Sequence, residues 1–231
     1  INDDFQNFGA ELGEWKRIAN YVYVYDYWLE TWMGQPINIP TLRRTMRFYR
    51  KLGVEGVLLD GIRGVPGGFE WLTFWLWFQL AWNPDFDVDQ GIDEFCTAYY
   101  GAAAPYIRQY IEMACCPESY GMTSVASYRP GTGRHRTKWL TDDPYKPIKL
   151  DKLRKCQMGF RNRVMTTKAI NLGYKLFEQA RKAVANDPKA LKHVEYSRMS
   201  LQFAMVEWLP GTDPRLKDEG ELLIRLGKEL E

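Results

Sequence analysis

The sequence predicts an α/β unit followed by an all-helical region. Three observations carry that prediction: two short apolar runs that each close on an aspartate, a helix-like segment between them, and a C-terminal stretch without strand signal.

The first run, Ile18 to Trp28, alternates valine and tyrosine, residues that favour strands, and ends on Asp26 between aromatics. Gly34, Pro36 and Pro40 in the following TWMGQPINIP supply the stop. From Thr41 to Leu52 the apolar residues Leu42, Met46, Tyr49 and Leu52 recur at helical spacing, with Arg43, Arg44, Arg47, Arg50 and Lys51 between them. A second strand, Val54 to Gly61, closes on Asp60. Strand, helix and strand in this order make a βαβ crossover with parallel strands, which are normally covered on both faces or closed into a barrel. In such folds the C-terminal ends of strands carry the chemistry, which singles out Asp26 and Asp60.

The segment Phe69 to Trp82, FEWLTFWLWFQLAW, is apolar nearly all round and is therefore expected to be a buried helix. The character changes near Pro84. Two amphipathic segments follow, separated by Gly101: one presents Val88, Ile92, Phe95 and Tyr99, the other Tyr106, Tyr110 and Met113. The stretch from Cys116 to Pro147 reads as a long loop with a basic patch, Arg134, His135, Arg136, Lys138 and Trp139, best explained as a solvated surface. Three helices close the chain, roughly 150–185, 188–208 and 213–231, with Asp187-Pro188 as a start signal and Pro210-Gly211 as a stop. The domain division this implies is 1–84 and 85–231.

Composition narrows the function. With 231 residues, 45% of them apolar and 15% aromatic, the chain can bury a sizeable core, and its nine Trp and fourteen Tyr leave rings available to line a groove that stacks sugars. A net charge of +2 argues against a general grip on nucleic acid. The Phe69 to Trp82 segment is too short to span a bilayer. Cys96, Cys115, Cys116 and Cys156 form no CxxC pair and lie far from His135 and His193, which argues against a zinc site and against a simple disulfide framework. The sequence opens at Ile1 with neither a basic stretch nor an apolar run, so compartment is not legible there.

The order YVYVYDYW, RFYRKLGVEGVLLDG, PGG before the apolar helix, and AWNPDFDVDQGIDEFCTAYYGAAAPYIRQYIE resembles the C-terminal half of a bacterial family designated a domain of unknown function. That family includes endo-β-N-acetylglucosaminidases, glycoside hydrolases of N-glycans. The similarity runs from about Trp15 to Ile111, with a weaker echo in the helices after Phe177.

The resemblance implies the last two βα units of a TIM-type (β/α)8 barrel followed by an α-helical C-terminal domain. Roughly six strands of the barrel would then come from elsewhere, in the same or another chain. It implies that the main catalytic acids lie upstream of Ile1, and that this chain supplies pocket-wall residues: Tyr25, Asp26, Trp28, Trp32, Asp60 and Arg63. A glycan substrate, no cofactor, no metal, no nucleic acid and a secreted or periplasmic location complete the expectation. Strand parity groups Val22, Val24 and Asp26 on one face and Tyr21, Tyr23, Tyr25 and Tyr27 on the other. Small and branched residues suit a barrel interior, so Asp26 and Asp60 are both expected at its mouth. The sequence departs from the family at Leu59-Asp60, where members commonly carry Glu-Gln. A non-catalytic carbohydrate-binding or structural protein is the alternative. Outside that family the chain would read as a helical binding module with a βαβ appendage.

Overall fold

The computed structural model describes residues 3–27, 39–60, 68–115, 167–209 and 211–228. Trp28, Trp32, Arg63 and the basic segment 134–139 lie outside them. Among the described residues the chain is a mostly helical α/β protein with one two-stranded parallel sheet.

Helix α1 (Asp3–Ile18) precedes strand β1 (Tyr23–Tyr27). The strand is shorter than its sequence signal. Ile18 closes the helix and Ala19 still donates to the Trp15 carbonyl, so the extended run starts only after this turn. Helix α2 (Ile39–Lys51) buries Ile39, Leu42, Met46 and Tyr49. It ends in a Schellman turn: Gly53 N donates to Arg50 O, Val54 N donates to Tyr49 O, and Gly53 holds φ +74°. That left-handed position is why a glycine stands here.

Strand β2 (Gly56–Asp60) pairs with β1 in parallel, with Tyr23 opposite Gly56, Tyr25 opposite Leu58 and Tyr27 opposite Asp60. The entry to β2 is pinned by Glu55. Its carboxylate accepts from Val22 N at 2.8 Å and from Lys16 Nζ, while its own N–H donates to the Val22 carbonyl. These contacts fix the register before the first strand pair.

Helix α3 (Glu70–Trp82) packs against α2 and α4 (Val88–Tyr100). Leu72, Leu76 and Leu80 lie fully inside, each contributing about 1.5–3 kcal/mol by burial. The rest of the expectation for this helix fails. Trp71, Phe78 and Trp82 are exposed, Trp82 at 92%. Its two neighbouring helices cover one arc, and nothing among the described residues covers the opposite one.

Asp87 caps α4 by accepting from Asp89 N and Gln90 N. Ile92, Cys96 and Tyr100 form its deepest stripe, and Phe95 and Tyr99 flank it half-buried. A 3-10 turn (Gly101–Ala103) leads into α5 (Ala104–Cys115). Helices α6 (Thr167–Ala183), α7 (Pro188–Trp208) and α8 (Arg215–Lys228) follow, α7 capped by Asp187 ahead of Pro188. The buried residues from Leu12 to Leu209 form one continuous cluster, which runs across residue 84. Tyr110 is a keystone, stacked on Phe69 at 5.6 Å and set edge-on to Phe177 at 4.7 Å.

Candidate functional site

The parallel pairing sends both strands in one direction, so Tyr27 and Asp60 end the sheet side by side. The two faces of this pair differ. On one face Val22 and Val24 are buried, and the hydroxyl of Tyr49 on α2 donates to Asp26 Oδ2 at 2.7 Å. Helix α2 therefore covers the face that carries Asp26. Burial, reinforced by the Asp26 carboxylate, pushes the Tyr49 phenol well above its ordinary range. The hydroxyl stays protonated and remains a donor.

On the other face Tyr23 (69%), Tyr25 (51%) and Leu58 (59%) are exposed. The Tyr23 ring lies over Gly56, where an added Cβ would meet it at 2.8 Å. A glycine opposite a tyrosine thus lets the ring lie flat on the sheet. Tyr21, just ahead of β1, is also exposed.

The register separates the two acids. Parallel register puts Asp26 beside Leu59, whereas Asp60 is in phase with Tyr23, Tyr25 and Tyr27. Asp26 and Asp60 thus belong to opposite faces of the pair. The valine and acid face that suited a barrel interior is the helix-covered one, and the tyrosine face is the open one. The alternation was legible in the sequence; its sign depends on which face α2 covers.

Of the six pocket residues expected from the sequence, Tyr25 stands on the open face, Asp26 faces α2, and Asp60 is described by its backbone register alone. Sequence reasoning missed Tyr49 as the partner of Asp26, and Tyr23 as a neighbour of Tyr25 on the open face.

The helical region meets the βα unit just ahead of α3. Gly68 holds φ +103°, donates its N–H to the Tyr196 carbonyl at 3.4 Å and sits against Ser200 of α7. Nearby, Tyr99 of α4 stacks on His193 of α7 with centroids 3.7 Å apart, and His193 Nδ1 bonds the Tyr99 carbonyl at 2.6 Å. Lys192 lies over the Tyr196 ring. Thus α7, itself held by α4, buttresses Gly68 at the entry to α3. No group of three or more His, Cys, Asp or Glu able to hold a metal ion occurs among the described residues. No helix among them is long and apolar enough to cross a membrane.

A family described as a domain of unknown function, DUF4838, matches residues 1–112. The match takes in the βα unit, α4 and most of α5. No curated protein and no solved structure matches the chain.

Proposed function

We propose that this chain is the closing part of a (β/α)8 glycoside hydrolase acting on N-acetylglucosamine-containing glycans, endo-β-N-acetylglucosaminidase-like, with its main catalytic acids on strands upstream of Ile1. The observation that carries this reading is the uncovered tyrosine face of a parallel strand pair whose other face is packed by its crossover helix. A closed barrel has that asymmetry: helices outside, and side chains of the inner face lining the mouth. Tyr23 and Tyr25 supply stacking surfaces and hydroxyls for sugar rings. Trp28, Trp32, Asp60 and Arg63 are assigned to the same wall on the sequence alone.

Hydrolysis needs two acidic groups across the scissile bond, or one acid with the substrate's acetamide. Asp26 and Asp60 are out of phase, and Asp26 bonds Tyr49, so they do not form such a pair. For the 231 residues taken alone this favours the second reading, a non-catalytic carbohydrate-binding wall.

Calorimetric titration of the chain with chitin oligosaccharides tests the shared element. Binding lost in Tyr23→Ala and Tyr25→Ala but retained in Asp26→Asn supports the wall. Binding unaffected by both tyrosine variants overturns it. The enzyme reading is tested by assaying N-glycan cleavage in the polypeptide extended upstream.

A further inference from the structure

Helix α2 carries five cations on one face. Arg43, Arg44, Arg47, Arg50 and Lys51 fall within about 120° of the helix circumference and about 12 Å of its length. The opposite face, Leu42, Met46 and Tyr49, is in the core, so the basic stripe points away from it. Like charges three and four residues apart repel. Among the described residues one acid answers them: Asp85 accepts from Arg47 at 2.9 Å and from Arg50 at 2.7 Å. Arg43, Arg44 and Lys51 have no ion pair among the described residues. The Nε atoms of Arg43 and Arg44 are buried without a hydrogen-bond partner, so part of each guanidinium is desolvated and unsatisfied. A chain with net charge +2 thus concentrates positive charge on one short helix.

We infer that the outer face of α2 is a binding surface for an anionic polysaccharide, one bearing repeated sulfate or carboxylate groups. Choosing a carbohydrate among polyanions rests on the glycan reading above; the anion preference rests on the stripe itself. A protein partner would need an aromatic or aliphatic anchor at the centre of its interface, and the stripe presents none. An anionic bilayer would be gripped through exposed apolar residues beside the cations, and those of α2 are buried or, like Phe48, half-buried against the core. A duplex would need a wider basic surface than one 13-residue helix offers. Planar guanidinium forks suit sulfate and carboxylate oxygens in pairs.

The test titrates the 231-residue chain with dextran sulfate, using uncharged dextran as control. Dextran sulfate binds, more weakly as salt rises, and uncharged dextran does not. The triple variant Arg43→Gln, Arg44→Gln, Lys51→Gln leaves the Asp85 ion pairs intact and weakens binding about tenfold or more. Arg43→Lys with Arg44→Lys, which keeps the charge and loses the forks, weakens binding less than the triple variant does. Circular dichroism and the melting temperature show that each variant is folded. Absence of binding at low salt, or equal binding by the triple variant, overturns the inference. So does binding of phosphatidylserine vesicles through these residues without binding of dextran sulfate. Failure here leaves chitin-oligosaccharide binding at Tyr23 and Tyr25 untouched, and the converse holds, so the two readings fall separately.

Discussion

Replacing Glu219 with alanine should be among the most destabilising single changes in the helical region. Arg198 on α7 is 1% exposed, yet it carries a full charge. Its Nη2 donates to Glu219 on α8 and lies 3.1 Å from Glu178 on α6, while Nη1 stands 3.9 Å from Glu195. The Tyr174 ring flanks the guanidinium at 5.5 Å. Glu219 also accepts from Gln202 Nε2 at 2.8 Å, and Gln202 is fully buried. Arg198 Nε and Nη1, Gln202 Oε1 and Glu195 Oε2 already lack hydrogen-bond partners, and Glu195 Oε2 stands 3.9 Å from Nη1, too far to bond it without moving. Truncating Glu219 strands the Gln202 amide and leaves Arg198 with one close carboxylate. Each stranded buried group costs about 1–3 kcal/mol, and breaking a buried ion pair from one side costs about 3–5 kcal/mol in all. Glu178 compensates in part, which sets the expected loss near 3 kcal/mol, a large share of a typical stability of about 5–15 kcal/mol. Urea denaturation should give that figure, with the melting temperature lower by roughly 6–12 °C. The joint change Arg198→Met, Glu219→Leu should recover the part of the loss that comes from the uncompensated charge, because it removes both charges together, while the Gln202 amide stays stranded. A single variant within about 0.5 kcal/mol of the parent would refute the argument, since Arg198 would then be hydrated or rescued in a way its burial denies.

Four further outcomes follow from other sites. Tyr49→Phe should cost about 1–2 kcal/mol by removing its hydrogen bond to Asp26. Because the Tyr49 proton is held more tightly in the folded state, its contribution is complete below the ordinary tyrosine value of about 10 and is lost as pH climbs above it; the phenylalanine variant should lack that alkaline slope in stability against pH. Burial pushes the Cys96 thiol up to about 12, so it should resist alkylation in the native chain at neutral pH and react once the chain is unfolded. The Arg215 hydrogen bonds hold the Asp213 carboxyl at about 2, below its unfolded value, so its contribution is present above pH ~4 and lost as pH falls through ~2; Asp213→Asn should flatten the acid limb of the stability curve. Gly173→Ala should destabilise by about 1–3 kcal/mol in denaturant titrations, since its Cβ would sit 2.8 Å from the Tyr110 ring, which Phe69 and Phe177 hold in place.

The strands and most helices were legible because their signals are local. Alternating Val and Tyr before Asp26, the Leu42–Met46–Tyr49 spacing and the Asp187-Pro188 start each act within a few residues. Helix α1 left no comparable signal: its Leu12 is buried while Phe8, Trp15 and Ile18 are exposed, so it has no continuous apolar stripe to read. What stayed hidden is tertiary. Tyr49 and Asp26 are 23 residues apart, Lys16 and Glu55 39 apart, and no spacing rule joins them. The parity of β1 is legible in the sequence, but which of its faces α2 covers is not, because tyrosine suits a packed face and an open face equally well.

The surplus of apolar surface is unevenly distributed, and this connects the fold to the proposed function. Among the described residues, Phe8, Trp15, Ile18, Tyr21, Tyr23, Tyr25, Leu58, Trp71, Phe78 and Trp82 are large, apolar and exposed ahead of Asn83, against Val206 and Ile224 after it. The helical region satisfies itself, with Tyr110, Phe177, Leu201 and Met205 inside and its charges paired around Arg198. Among the described residues the βα unit does not: its strand pair has an outer edge on each side, an open tyrosine face and an aromatic arc on α3 at spacings of seven and four residues. Edges and patches of this kind are normally covered by further strands and helices, or they associate. The helices from α4 onward thus act as a fixed base against which the βα unit is held, through Gly68 and Phe69, while its tyrosine face stays open among the described residues.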